Sequence, residues 1–409
     1  MKFLIIEQDL RVSGTSQGII SRSFLSKLRT SYPDSLIDVV YLKQSPSEDQ
    51  LELLPVDSID CHILNLEIPF FTKWLNKLYW RLFHISLKER HIHKIYGSHI
   101  SKIDHSKYDH IFIRSAGLNH ETILGAKGLP ILKKAIVNFH DPYPVFWYPG
   151  TTSQISNLEL FRLKDMYEVI SEAKRCMSTA DLLSQDLEYL YGSKKRFYTL
   201  PHQYDKKVFD LSDTANVLKR GKKVSISYHG AIMFGRNIDY LLDAYTTLVE
   251  NNLLYREQTE FVLRLRGSEN SRLFKKYSAN KNILVLDALN FSNSSYEQAN
   301  EADILIILEN GPIYSNTLVG KAPFVAALGK PVLCISPERS VLRHIIVDNK
   351  YVANCNDKDE IQNKLEYLIK DRLESDAKVY PFGDYFSDEN FKVLMDKILD
   401  SYSITGKTV

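Results

Sequence analysis

A lysine late in the chain follows a group of hydroxyl and amide side chains. Ser315, Asn316 and Thr317 precede Lys321, and residues 323–328 have the length and apolar character of a short helix. Backbone N–H groups at the start of a helix have no internal partner, and the helix dipole is positive there. The pattern therefore predicts a site for an anion such as a phosphate or a diphosphate.

Apolar runs of strand length lie on both sides of this segment, at residues 304–308 and 331–335. A strand, a loop, a helix and a second strand form a βαβ unit, in which ligands bind at the carboxyl ends of the strands. Glu309 comes directly after the first of these strands. We therefore expect its carboxylate at the same edge of the sheet as the anion site.

A loop in the first half of the chain also follows a predicted strand. Residues 135–139 are the strand, and His140 and Asp141 come next, before Pro142 and Pro144. The two prolines predict a rigid loop at the carboxyl edge of the sheet. Asp141 has the chemistry of a general base that takes a proton from an acceptor hydroxyl, although an aspartate before a proline is also a common turn residue.

The overall composition is that of a globular protein. The 409 residues carry a formal net charge of +2, without the strongly basic balance of a nucleic-acid-binding protein. The four cysteines show neither metal-binding nor disulfide spacing, which fits a reducing cytoplasm. No window reaches the roughly 18 apolar residues that a membrane span needs.

Predicted strands and helices alternate in two series, which is typical of an α/β protein with two domains. The first series begins at the N-terminus and the second at Lys223, and a polar stretch over residues 206–222 separates them. We predict that one domain spans residues 1–205 and the other residues 206–385.

Four segments then occur in an order typical of one family. They are residues 180–205 with Phe209, residues 228–244, residues 266–268 and residues 321–331. In this order they resemble the nucleotide-sugar glycosyltransferases of the GT-B fold, and in particular the retaining bacterial enzymes that build surface polysaccharides. The resemblance implies two Rossmann-like domains that face each other across a cleft, the first for the acceptor and the second for the donor. It also implies that residues 386–409 form a helix that crosses back to the first domain, followed by a tail.

The resemblance implies roles for individual residues as well. Arg236 and Lys321 would stabilise the departing diphosphate in place of a metal ion, and His140 would lie near the donor sugar; the alternative is that both cations are merely solvated. Further donor contacts are expected from strand ends and loops, at Gly14, Gly230, Arg266, Gly267, Glu309, Ser315, Asn316 and Thr317. No separate cofactor is expected, because the nucleotide sugar, UDP- or GDP-linked, is itself the substrate. Arg264, two residues before Arg266, is expected on the solvated face of an edge strand.

The chain departs from the family pattern at one point. Retaining members carry two glutamates, and in this register Asn316 and Phe324 occupy those positions. Glu309 is the candidate for supplying one carboxylate from a shifted position. The stereochemical course and the transferred sugar are therefore left open.

Residues 70–83 predict an amphipathic helix that is rich in aromatic side chains. One face carries Phe71, Trp74, Leu75, Leu78, Leu82 and Phe83, and Lys73, Lys77 and Arg81 lie elsewhere. Such a helix can lie in a membrane interface, which would suit an enzyme with a lipid-linked acceptor. The alternative is that the apolar face packs on the sheet of the first domain.

Together these patterns predict a cytoplasmic glycosyltransferase of hexosyltransferase type, with contact to the inner face of the cell membrane. Its donor would be a nucleotide sugar and its acceptor a lipid-linked saccharide in bacterial surface glycan synthesis. A nucleotide-sugar 2-epimerase of the same fold is the alternative enzyme. A catalytically silent GT-B protein that serves in binding or assembly is the alternative of another class. No nucleic-acid partner is expected.

Overall fold

The computed structural model describes most of the chain, namely residues 1–47, 49–192 and 194–400; the predicted tail after residue 400 lies outside the described residues. The chain divides into two compact units. One contains Met1–Val208 together with the segment that begins at Ser387, and the other is Phe209–Phe386. The chain thus passes between units three residues after the predicted limit of residue 205.

The first unit is built on one parallel sheet. Its strands are β1 (Lys2–Glu7), β2 (Leu36–Lys43), β3 (Ser58–Ile63), β4 (His110–Arg114), β5 (Ala135–Phe139), β6 (Arg175–Ser178) and β7 (Phe197–Thr199). They pair in the order β3-β2-β1-β4-β5-β6-β7, with every pair parallel. The order reverses between β1 and β4, and such a reversal is where open α/β sheets bind ligands.

Helices connect the strands of this sheet. They are α1 (Ser16–Ser31), α2 (Phe70–Phe83), α3 (Leu87–Ile100), α4 (Glu121–Gly125), α5 (Asn157–Glu172) and α6 (Asp181–Tyr191). Hydroxyl side chains define several of their starts, because a side-chain oxygen accepts a free N–H of the first turn. Thr15, Ser86 and Ser156 do so at α1, α3 and α5.

The second unit repeats the arrangement. Its strands are β8 (Val224–Ala231), β9 (Thr259–Arg266), β10 (Ile283–Asp287), β11 (Ile304–Leu308), β12 (Tyr314–Ser315), β13 (Val332–Ser336), β14 (Arg339–Ser340) and β15 (Val352–Asn354). Six of them form a parallel sheet in the order β10-β9-β8-β11-β13-β15, and β12 pairs separately with β14. Its helices are α7 (Asp239–Asn251), α8 (Leu253–Gln258), α9 (Glu269–Tyr277), α10 (Phe291–Asn300), α11 (Ala322–Ala327), α12 (Val341–Ile345) and α13 (Lys358–Glu374).

Every residue of β5, β11 and β13 is buried. Strands that are covered on both faces carry continuous apolar runs, and this is why these strands are recognisable in the sequence.

A final helix, α14 (Asp388–Asp400), belongs to the first unit. Its Phe391 packs edge-on against Phe24 of α1, at 6.1 Å between ring centres. The hydroxyl of Tyr32 donates a hydrogen bond to Asp396 Oδ1 at 2.6 Å, and Arg175 donates to the Ile398 carbonyl oxygen at 2.6 Å. The predicted α/β class and the returning helix are thereby confirmed.

Gly18 in α1 generates a testable prediction. A Cβ at this position would lie 2.2 Å from the carbonyl oxygen of Arg11, in the loop that crosses the helix. Glycine-to-alanine changes inside helices normally stabilise by about 0.5–1 kcal/mol. We expect Gly18→Ala instead to lower the free energy of unfolding by about 1–3 kcal/mol, because backbone atoms must move.

Urea unfolding of the whole chain measures this change. Ser98→Ala, at an exposed position of α3, is the control and should lie within about 0.5 kcal/mol of the wild type. A Gly18→Ala protein as stable as the wild type would contradict the close approach of Arg11.

Candidate functional site

Lys321 stands at the start of α11, and its side chain reaches the end of β8. The ammonium group donates a hydrogen bond to the carbonyl oxygen of His229. It also lies 4.4 Å from the centre of the Tyr228 ring, which is a cation–π contact. These two contacts hold the positive charge at the carboxyl edge of the second sheet.

Gly230 allows this approach. Its φ is +154°, and a Cβ there would lie 2.9 Å from Lys321 Nζ. Any larger residue at position 230 would therefore displace the ammonium group or the strand end.

Arg236 lies in the loop after β8, close to the same strand end. Its Nε donates to Asn310 Oδ1 at 3.0 Å, and its Nη1 donates to the Ala231 carbonyl oxygen at 3.2 Å. Asn310 comes two residues after β11, and β11 is the neighbour of β8 at which the strand order of the second sheet reverses. The two predicted cations thus meet at the point where doubly wound sheets bind ligands.

The proximity of the two charges affects the acidity of the lysine. Burial of the ammonium group lowers the pKa of Lys321 to about 7, and the positive charge of Arg236 acts in the same direction. An anion between the two side chains would reverse both effects, because it favours the charged form of the lysine.

The polar residues before Lys321 lie in the connection that leads to α11, and the short helix predicted over residues 323–328 is found at Ala322–Ala327. The helix begins at Ala322, next to Pro323, and no side chain caps it. Ser315 pairs with Ser340 in the two-stranded sheet, and Asn316 and Thr317 are buried in the connection. Proline is favoured in the first turn of a helix, which fits a start at Ala322, one residue before the predicted range. Donor contacts by these three residues stay a prediction.

Glu309 lies at the predicted edge, but its carboxylate faces α12. Glu309 Oε1 accepts a hydrogen bond from the Leu342 N–H at 3.3 Å. Burial raises the pKa of Glu309 to about 7, and the nearby hydroxyls of Ser336 and Ser340 act in the opposite direction. The geometry gives this side chain a capping role, and its contact with a donor stays a prediction.

Arg264 is not on an edge strand, so that expectation is wrong. β9 lies between β8 and β10, and Arg264 forms a buried bidentate ion pair with Glu297, at 2.9 and 2.7 Å. Arg266 is exposed at the end of β9, and Gly267 follows with a φ of +112°. Arg266 and Gly267 therefore lie at the carboxyl edge of the second sheet, and Arg264 does not.

In the first unit, His140 is buried and both of its ring nitrogens are engaged. Nδ1 donates to Gln17 Oε1 at 2.5 Å, and Nε2 accepts from Asn138 Nδ2 at 2.9 Å. Burial and the nearby charge of Arg114 lower the pKa of His140 well below its usual value. The side chain is therefore a neutral imidazole with a fixed orientation, and its predicted place beside a sugar stays a prediction.

The hydrogen bond to Gln17 is part of a longer buried network. Gln17 donates to Ser21, Ser21 donates to Glu7 Oε2 at 3.0 Å, and Glu7 Oε1 pairs with Arg114 Nε at 2.5 Å. Burial raises the pKa of Glu7 to about 7, against the effect of Arg114. Sequence reasoning missed this pair, although a charged residue at the end of an apolar strand was a visible signal at both positions.

Asp141 and Gly14 lie in loops at the same edge. The Asp141 carboxyl group forms a hydrogen bond with Tyr148, and burial raises its pKa to about 6. A carboxylate with a pKa near the working pH suits a general base, and this role stays a prediction. Gly14, with a φ of +79°, precedes the Thr15 cap of α1.

A pocket of about 240 Å³ opens in the first unit at the carboxyl ends of β1, β2 and β4. Several of its charged and amide groups are paired with one another. Arg11 binds Asp9 through two hydrogen bonds, at 3.0 and 2.7 Å, and Gln8 donates to Glu121 at 2.8 Å. Internal pairing leaves a polar surface of little net charge, which suits a ligand rich in hydroxyl groups. The sequence analysis did not single out these four residues.

The described part of the chain holds no group of three or more His, Cys, Asp or Glu side chains with the arrangement of a metal site. None of its helices is long and apolar enough to cross a membrane.

No protein-family model and no curated protein matches the chain. Solved structures with the GT-B fold do match it along its whole length, and the predicted fold class is confirmed. Sucrose-phosphate synthase from Thermosynechococcus elongatus has a TM-score of 0.62 at 13% identity and covers 98% of both chains. A glycosyltransferase from Rickettsia africae has a TM-score of 0.61 at 13% identity, over 98% of this chain and 99% of its own.

The solved structure of an epimerase is also similar to that of this chain. UDP-GlcNAc 2-epimerase from Neisseria meningitidis, bound to UDP-GlcNAc, has a TM-score of 0.55 at 14% identity, over 98% of this chain and 100% of its own. At such identities the similarity establishes the two-domain Rossmann-like fold, which transferases and epimerases share.

The capping role of Glu309 predicts a pH dependence of stability. The folded pKa of about 7 exceeds the ordinary value of 4.5, so the unfolded chain loses this proton first as the pH rises. Ionisation of Glu309 should therefore lower the free energy of unfolding between pH 5 and 7, by about 1–3 kcal/mol in total. Glu309→Gln still accepts from Leu342 and should lack this decrease.

Urea unfolding at pH 5 and pH 8 tests the expectation. Glu338→Gln removes an exposed carboxylate of the same unit and should follow the wild-type profile. If the free energy of unfolding changes with pH by the same amount in the wild type and in Glu309→Gln, Glu309 does not bind a proton in the folded protein as predicted.

Proposed function

We propose that this protein is a glycosyltransferase that transfers a hexose from a nucleotide-diphosphate donor to a saccharide acceptor. The observation that carries the proposal is the meeting of Arg236 and Lys321 at the strand-order reversal of the second sheet. Their hydrogen bonds go to the neutral oxygens of His229, Ala231 and Asn310. Because these oxygens carry no formal charge, the charge of Arg236, and that of Lys321 in its protonated form, is available to a diphosphate.

Charge stabilisation is what the chemistry requires. When the bond between the sugar and the diphosphate breaks, negative charge grows on the departing group, and fixed cations lower that barrier. Arg236 and Lys321 would supply this stabilisation by side chains in place of a metal ion. The similarity to an epimerase bound to UDP-GlcNAc supports a nucleotide sugar as the ligand, UDP- or GDP-linked.

The acceptor is proposed to bind in the first unit. The pocket at β1, β2 and β4 offers paired polar groups to hydroxyls, and Asp141 at the same sheet edge is the candidate base if the reaction inverts. We propose that the acceptor is lipid-linked and belongs to bacterial surface glycan synthesis. The exposed apolar helix α2 supports the lipid-linked form.

Nucleotide binding is the first prediction from this proposal. In a panel of UDP-, GDP-, dTDP- and CMP-sugars, at least one should raise the melting temperature, since a ligand at a hundred times its Kd adds about 2.7 kcal/mol. Lys321→Met and Arg236→Gln should each weaken the binding of that ligand about tenfold or more, because a hydrogen bond between charged groups contributes about 1.5–3 kcal/mol.

Lys281→Met, at an exposed position of the same unit, is the matched control and should bind like the wild type. If no nucleotide sugar stabilises the wild type, both enzymatic proposals fail.

The lowered pKa of Lys321 predicts how affinity varies with pH. Binding requires the charged lysine, whose pKa in the free protein is about 7, whereas the diphosphate of a nucleotide sugar keeps its charge near this pH. Affinity should therefore fall as the pH rises from 6.5 to 8.5, and binding near pH 7.5 should take up a proton. Titration calorimetry in buffers of different ionisation enthalpy measures this uptake. Equal uptake by Lys321→Met and wild type would show that another group titrates.

A nucleotide-sugar 2-epimerase is the second candidate, because solved epimerases cover the whole chain. Incubation with UDP-GlcNAc and no acceptor separates the two activities. A transferase should give slow hydrolysis to UDP and free sugar, with no change at C2. Accumulation of the C2 epimer, detected by NMR, would instead establish the epimerase.

A further inference from the structure

Helix α2 turns its aromatic side chains toward solvent. Phe70, Phe71 and Trp74 are 76, 75 and 66% exposed, and no residue of the helix is buried. The other exposed large apolar residues of α2 are Leu78, Tyr79, Trp80, Leu82 and Phe83. Adjacent exposed apolar residues of this kind form a patch that marks an interaction site.

The opposite side of α2 is the one that contacts the protein. Thr72, Leu75 and Asn76 are only partly exposed, and Asn76 Oδ1 accepts a hydrogen bond from the Lys88 N–H at 3.1 Å, near the start of α3. The helix therefore packs by a narrow side that includes Thr72, Leu75 and Asn76. The sequence-based alternative, in which the apolar face covers the first sheet, does not describe this structure.

The charged residues of α2 are arranged beside its exposed apolar patch. Lys73, Lys77 and Arg81 are exposed, and the segment Phe70–Phe83 contains no acidic residue. At about 100° per residue the three cations line one side of the apolar ridge formed by Phe70, Trp74 and Leu78. Long basic side chains placed in this way reach water or phosphate while the ridge is buried.

We propose that α2 lies in the plane of a membrane interface and binds anionic lipids. Its 14 residues span about 21 Å, too short to cross a bilayer of about 30 Å, so an in-plane orientation follows. Aromatic residues favour the headgroup region, and the basic side chains pair with lipid phosphates. A second copy of this chain fits less well, because a symmetric contact would bring the same cations together.

This inference goes beyond the proposed transfer reaction and does not depend on it. Lipid binding by α2 needs neither nucleotide nor saccharide, so vesicle experiments and donor-binding experiments fail independently. If lipid binding and the transfer reaction are both established, α2 brings the first unit to the membrane surface on which a lipid-linked acceptor resides.

Vesicle sedimentation with the full chain tests the proposal. The wild type should bind phosphatidylcholine vesicles containing about 30% phosphatidylglycerol and bind neutral phosphatidylcholine at least tenfold more weakly. Trp74→Glu with Leu78→Glu should reduce binding to the anionic vesicles more than tenfold, because two charges enter the apolar ridge. Lys77→Gln with Arg81→Gln keeps the ridge and should also reduce this binding about tenfold or more.

Leu253→Glu with Phe274→Glu is the matched control, since both residues are exposed apolar positions of the second unit. This variant should bind like the wild type. Tryptophan fluorescence gives a second readout: in a Trp147→Phe protein the remaining tryptophans are Trp74 and Trp80, and their emission should shift to shorter wavelength with anionic vesicles.

Three outcomes would overturn the proposal. One is absence of vesicle binding by the wild type. Another is equal binding to neutral and anionic vesicles, which removes the role of the cations. The third is a dimer in sedimentation velocity that dissociates in Trp74→Glu with Leu78→Glu, in the absence of vesicle binding, which would assign the face to a second copy.

Discussion

Two consecutive strands that lie parallel in one sheet must be joined by a crossover connection. This constraint determines where the chemistry of the protein lies. All strand pairs of the two large sheets are parallel, so the carboxyl ends of each sheet's strands gather at one edge. Loops that leave this edge carry polar and charged side chains, while central strands such as β5, β11 and β13 are buried on both faces. Arg236 comes from the connection after β8, and Asn310 and Lys321 come from the connection between β11 and β13, yet the three meet because β8 and β11 are neighbours.

The same constraint acts in the first unit with a different result. Glu7 ends β1 and Arg114 ends β4, and their adjacency produces a buried ion pair that continues through Ser21 and Gln17 to His140. Here the converging groups satisfy one another, whereas at the end of β8 each of the two cations donates to neutral oxygens of its own. A fully paired network orients the residues around it, and an uncompensated pair of like charges attracts an anion. The carboxyl edges of the two sheets therefore differ in their electrostatics, although the two units have the same type of fold.

Sequence patterns predicted those parts of the structure that depend on local chemistry. Buried strands such as β5 and β11 are continuous apolar runs, and Arg236 and Lys321 follow strands in an order that resembles a known family. Partners distant in sequence were not predictable: no local pattern shows that Arg264 meets Glu297 or that Glu309 turns toward Leu342. The position of α2 outside the core was left open for a related reason, because an amphipathic pattern reveals that a helix has an apolar face but not what covers it.

The return of α14 to the first unit makes the second unit an insertion within the first. During synthesis, residues 209–386 are all translated before the segment that contacts Phe24, Tyr32 and Arg175. The domain that begins the sequence is therefore the last to be completed, whereas domains generally fold in order from the N-terminus. Until then the nascent protein exposes part of its N-terminal core, and a message truncated before α14 would yield a finished second domain attached to an unfinished first one.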